Sequence, residues 1–169
     1  GLAALAVILA QACTLPAQAP SPAAGKVVNS ASGEDYFAAT GTEWYSAFNQ
    51  PSAQYFKGKT FIAYPNANFD PTVICFDHAS RSWSRPVKAG HNPLAAAKDS
   101  HGNPALLIDR TGTLHVFYGS HGGPLQYARS SGPGSIEQWQ AMPPPAPRAT
   151  YPQVMQMSDG TIFLFYRAG

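Results

Sequence analysis

Three of the chain's five histidines fall within "KDSHGNPALLIDRTGTLHVFYGSHGGP", residues 98–124. His101 and His121 sit in polar, glycine-bearing loops on either side of a turn signal, Asp109-Arg110-Thr111-Gly112. Free imidazole exchanges its proton near neutral pH, at a pKa of about 6.5, so two of them together could take a proton, give one, or bind an anion. Gly112 suits the positive-φ position of a three-residue hairpin loop. If Asp109 pairs with Thr113, the numbers of every cross-strand pair sum to 222, and those of His101 and His121 do so too. Opposed residues face one side with Cβ atoms about 5 Å apart, so the hairpin predicts that the two imidazoles are neighbours. Gly102, Gly122 and Gly123 are expected to leave room beside them, and Asn103 offers an amide to a ligand. Two plain surface histidines remain an alternative reading. A metal pair with Asp99 as third ligand is another, although nothing in the spacing demands a metal. His115, between Leu114 and Val116, is expected to pack between sheets, and His78 and His91 to serve turns and loops.

The elements that would hold this pair show themselves as a repeat. "GKTFIAY" (58–64), "GTLHVFY" (112–118) and "GTIFLFY" (160–166) share Gly, one residue, Thr, alternating apolar residues and Tyr, with starts 54 and 48 residues apart. Trp83 and Trp139 follow the first two units by 19 and 21 residues. A strand-built period of about 50 residues is the signature of propeller blades, each a four-stranded antiparallel sheet. "PALLID" is then an inner strand, "TLHVFYGS" its partner, "LQYARS" the third and the "EQWQAM" region the outermost, with "YPQVMQM" opening the next blade. A β-sandwich is the bland alternative, but its strands have no reason to repeat in sequence. The expected fold class is therefore all-β, with about three blades of a propeller.

Composition narrows the function. The net charge is +2 and 12% of residues are charged, so no basic field points to nucleic acid. Residues 2–12, "LAALAVILAQA", are apolar but short for a transmembrane helix. Small residues and Cys13 follow, as at the end of a secretory signal or a bacterial lipobox, with Gln11 an unusual member of such a box. Residues 14–26 read as a Pro/Ala-rich tether, and 27–169 as the N-terminal part of a truncated propeller domain. Export is expected, with a membrane reached only through a lipid on Cys13. Cys75, in "TVICFD", is expected to be a buried small hydrophobe.

"GKTFIAYPN", "VICFDHASRSWS", "DSHGNPALLID", "FYGSHGGPLQYARS" and "TYPQVMQMSDGTIFLFYRAG" together resemble the BNR-repeat-containing propellers, which include polysaccharide lyases of the ulvan-lyase type. The resemblance covers roughly residues 40–169. It implies a seven-bladed ring that cuts a uronate-containing polysaccharide by β-elimination. It also implies that His101 and His121 are active-site histidines and that Tyr166 is a candidate catalytic tyrosine. The family uses an arginine near the substrate carboxylate. Arg167 is the local candidate, although alternation along a strand turns it away from Tyr166. Asn103 and Arg167 are thus the expected substrate-binding residues. No cofactor or metal is expected at the site, a structural metal elsewhere in a full ring being compatible, and the protein is expected to be a monomer.

Two rivals stand beside the lyase. A glycoside hydrolase acting on rhamnose–glucuronate linkages would want two carboxylates flanking the bond. Asp35, Asp70, Asp77, Asp99, Asp109 and Asp159 instead lie mostly in turns, where Asp serves the backbone. A non-catalytic sugar-binding propeller could stack sugars on Trp44, Tyr45, Trp83 or Trp139.

Overall fold

The structure is a computed structural model that describes residues 49–169. The signal or lipobox reading with Cys13, the tether, Asp35, Trp44 and Tyr45 lie outside the described residues.

Every long element is a strand, and the strands group into three sheets. The first is built from β1 (Ala53–Phe56), β2 (Lys59–Pro65), β3 (Pro71–Asp77) and β4 (Ser82–Trp83) in that order, with β5 (Val87–Lys88) also pairing β3. The second runs β6 (Ala105–Ile108), β7 (Leu114–Tyr118), β8 (Gln126–Ser130) and β9 (Trp139–Met142). The third is the hairpin β10 (Thr150–Gln156) and β11 (Ile162–Arg167). All ladders within these sheets are antiparallel. The repeated Gly-x-Thr units form β2, β7 and β11, the second strand of each sheet, and Trp83 and Trp139 stand on the fourth strands of the first two. The second sheet follows the order that the repeat implies. The first departs from it, because its fourth strand is only two residues long and β5 continues the pairing along β3.

Two apolar layers bind the sheets face to face. Phe61, Val73, Leu106, Leu114 and Val116 fill the layer between the first and second sheets. Leu107, Phe117, Leu125 and Val154 fill the layer between the second sheet and the hairpin. Residues alternate across a strand, so β6 sends Leu106 one way and Leu107 the other. This is why β7 is buried along its whole length. Cys75 lies buried in the first layer, where desolvation pushes its thiol pKa up. Trp139 packs on that layer and donates its indole N–H to the Ile136 carbonyl at 2.8 Å, which makes it a scaffold residue.

The loop between β6 and β7 decides where the histidines go. Asp109 N–H donates to the Thr113 carbonyl at 3.0 Å, and Gly112, at φ 91°, donates back to the Asp109 carbonyl at 2.9 Å. Asp109 Oδ1 accepts from the backbone N–H groups of Thr111 and Thr113 at 2.9 Å each, closing the loop from inside. The register that follows is Ala105↔Phe117 through Ile108↔Leu114, each pair summing to 222.

Candidate active site

Beyond Ala105 the ladder stops. Ser100–Gly102 form a 3-10 turn capped by the Asp99 carboxylate, which accepts the His101 N–H at 2.9 Å. Gly119 donates to the Gly102 carbonyl at 3.0 Å, a pairing one residue out of the strand register. Even so, the imidazoles of His101 and His121 meet. They stack with ring centroids 3.8 Å apart and planes 14° from parallel. One carboxylate holds both: His101 Nδ1 lies 2.6 Å from Asp99 Oδ1, and His121 Nδ1 lies 2.7 Å from Asp99 Oδ2. Burial alone would raise the Asp99 pKa, but the bonds from His101 N–H, His121 and the His101 ring outweigh it and lower it to about 2. An ionised carboxylate only accepts, so each Nδ1 carries its proton and each neutral ring keeps a bare Nε2.

The two Nε2 atoms differ in their surroundings. That of His101 lies 3.0 Å from the Tyr151 hydroxyl, which donates to it. His121 is the more exposed of the pair, and no partner holds its Nε2 among the described residues. Tyr151 comes from the hairpin sheet and reaches this position through a β-bulge. The β10–β11 register shifts between Thr150↔Arg167 and Gln153↔Phe165, and Tyr151 adopts φ 60°. Bulges re-aim a side chain in just this way. Arg167 lies over the Tyr151 ring, 5.0 Å from its centroid, and Gly122 N–H donates to Thr150 Oγ1 at 2.9 Å, joining the two sheets at the site.

The expected residues separate. His101 and His121 come together. Tyr166 enters none of their hydrogen bonds or ring contacts. It lies two residues beyond Leu164 on β11, on the same face of the strand, and its ring is exposed. Arg167 points to the other face, as alternation requires, yet at the strand end it reaches Tyr151. Asn103 is buried rather than open to a ligand, and Asn49 Nδ2 lies 2.5 Å from its carbonyl and 3.0 Å from that of His101. The space expected at Gly102 belongs to the scaffold: a Cβ there would stand 2.8 Å from the Asn92 amide nitrogen. Gly123 does face open space.

Asp99, His101 and His121 also form the one group of metal-type side chains among the described residues, with ligand atoms within 4.8 Å of one another. Near-parallel stacked rings aim their lone pairs side by side, and both Nδ1 atoms are spent on Asp99. That donor set suits shared protons better than one tetrahedral ion. The remaining histidines each pair away from this site. His115 bridges Tyr127 and Asp109, His78 bonds Thr60 at 2.8 Å, and His91 lies 3.0 Å from Asp70. Sequence reasoning missed Tyr151 and Asn49 altogether. Neither has a spacing that links it to the histidines, because Tyr151 arrives from the hairpin sheet and Asn49 from the segment before β1.

A model of the BNR repeat-containing family matches residues 59–169. The chain belongs to that family. Within it, the chain is 37% identical over 139 residues to an ulvan lyase of Alteromonas sp. (strain LOR), covering 70% of this chain and 29% of that protein. It is 36% identical over 163 residues to an ulvan lyase of Nonlabens ulvanivorans, covering 83% and 34%. The fold matches the solved structure of a PL25 ulvan lyase bound to -[GlcA(1-4)Rha3S]- with a TM-score of 0.69 and 30% identity, over 72% of this chain and 32% of that one. This BNR-repeat chain thus spans about a third of the length of the relatives it matches.

Proposed function

We propose that this chain contributes the acid–base centre of a polysaccharide lyase that cleaves a uronate-containing, ulvan-like polymer by β-elimination. The observation that carries the reading is the His101–His121 stack on one carboxylate, at an exposed edge between two sheets. The kinship to ulvan lyases supports the substrate class. The sheets would then be blades of a seven-bladed ring, and the polymer would bind across their shared edge.

Elimination removes the proton on C5 of the uronate, breaks the C4–O bond and leaves a C4–C5 double bond. The electron pair of the C–H bond becomes the new π bond, and the departing oxygen takes a proton. His121 is the base, since its Nε2 is bare and its Nδ1–H is already braced by Asp99 for the positive charge that develops. Tyr166, exposed on the neighbouring hairpin, protonates the leaving oxygen. The Arg167 guanidinium meets the substrate carboxylate, whose charge otherwise opposes loss of the C5 proton, while Tyr151 holds the His101 ring in place. These roles require neither metal nor cofactor. A substrate of this size lies outside the cell, which agrees with the export reading of residues 2–13.

The test is the full-length protein incubated with ulvan and other uronate polymers, following ultraviolet absorbance of the unsaturated uronyl product, beside His101→Ala and His121→Ala. Rising absorbance that either substitution abolishes supports the reading. Shorter chains without absorbance mean a hydrolase, and binding without cleavage means a sugar-binding module. Either result overturns it.

A further inference from the structure

Asp99 has no counterpart among the groups that the elimination uses directly, yet it makes the shortest contacts to the two imidazoles. Its two oxygens are divided between the two imidazoles, Oδ1 to His101 and Oδ2 to His121, and Oδ1 also accepts the His101 backbone N–H. A carboxylate can satisfy several donors at once because each oxygen has more than one lone-pair direction. Two consequences follow from that division. Both rings are held in the Nδ1–H tautomer, so both Nε2 atoms are acceptors, one facing Tyr151 and the other facing outward. In addition, the rings lie 3.8 Å apart with a single anion between them. Two imidazolium charges at that separation repel, and one carboxylate offsets only one of them.

Given the elimination chemistry above, on which this rests, we propose that Asp99 is the positioning residue of the site: one carboxylate fixes both imidazoles as their Nδ1–H forms and supports a single positive charge on the pair. The pair acts as one base. When His121 accepts the C5 proton, His101 stays neutral and keeps its bond from Tyr151. The groups that bear on the pair are Asp99 on its own loop and, from the hairpin sheet, Tyr151 and the Arg167 guanidinium over its ring. Arg167 adds a further reason for the pair to hold only one cation.

Asp99→Asn separates this role from a merely structural one. An amide presents one acceptor and one donor, so one of the two rings must turn to its other tautomer or lose its bond. In the full-length protein, kcat is expected to fall about 100-fold or more, the scale of positioned acid–base groups, with KM within about threefold. An unchanged kcat in a folded Asp99→Asn protein, beside an active wild type, overturns the proposal. Histidine 15N resonances of the wild-type protein give a readout independent of turnover and of the variant's folding. Protonated Nδ1 and bare Nε2 at His101 and His121 support Asp99 in this role even if no polymer is cleaved, in which case the lyase reading alone fails. The opposite tautomer at either ring overturns the proposal.

Discussion

The two ends of the β6–β7 hairpin carry two chains of the same three residue types. Asp99–His101–Tyr151 stands at the open end of the β6–β7 hairpin, and Asp109–His115–Tyr127 stands at the turn end. In the first, the ring gives Nδ1 to the carboxylate and Nε2 to the phenol, whereas in the second the nitrogens are exchanged. The larger difference is what else each carboxylate holds. Asp109 spends its other oxygen on Thr111 and Thr113, the loop itself, while Asp99 spends its other oxygen on a second histidine. His115 is buried, and Tyr127 lies flat on Phe117 with centroids 4.8 Å apart. The same side chains thus build a brace where they are covered, and a paired-imidazole site where a second ring and open space replace the covering layer.

The contrast can be broken most directly by deleting each ring. His121→Ala is expected to cost about 10²–10⁴ in kcat, the usual worth of a positioned acid or base. His115→Ala should leave turnover nearly intact and lower the urea midpoint instead, by about 1–3 kcal/mol of stability, since a half-buried phenol and carboxylate lose their partner. Equal losses of activity in both variants would end the distinction between the two chains.

Removing single hydroxyls sharpens it. Tyr166→Phe should lower kcat by about 100-fold if it supplies the leaving-group proton, and Tyr151→Phe by less, since its hydroxyl works through His101. Tyr127→Phe should leave kcat unchanged. Steady-state rates on one polymer rank the three, and a larger loss at Tyr151 than at Tyr166 would transfer the acid role to Tyr151.

Much of this could be read from the sequence, for reasons that are local. Asp109, Gly112 and Thr113 fix a loop, and the loop fixes a register that runs to Ala105↔Phe117 and leaves His101 and His121 on facing segments just beyond it. The Gly-x-Thr repeat marks the second strand of each sheet for the same reason, because a tight turn must precede it. Asp99 was legible as a group beside both histidines, in the metal reading, but not as a carboxylate bonded to both rings, since a 3-10 turn replaces the ladder before the histidines are reached. Tyr151 and Asn49 were illegible. Their contacts depend on how separate sheets dock, and a bulge erases the alternation that would place Tyr151.

Acid affects the two chains alike. Burial raises both aspartates, but at Asp99 the His101 N–H and both imidazoles outweigh it, and at Asp109 the Thr111, His115 and Thr113 bonds do. A carboxylate lowered in the folded state stabilises it above the unfolded pKa, near 4, and loses that contribution as pH falls through the folded value. Thermal midpoints should therefore drop between about pH 4 and pH 2. Asp99→Asn should flatten part of that drop, and an unaltered profile would mean that the carboxylate is not bonded as described. The smallest effect belongs to the loop. Gly112→Ala forces a Cβ at φ 91° to within 2.7 Å of the Phe56 ring and should cost about 1–3 kcal/mol in denaturant titration without touching KM.

Tyr151 holds a backbone conformation, φ 60°, that a bulky side chain adopts only when its surroundings compel it. A glycine there would relax the main chain by about 1 kcal/mol while removing the phenol that faces His101. Position 151 therefore sets durability against turnover, and selection for heat resistance alone would drift toward a sturdier, slower molecule.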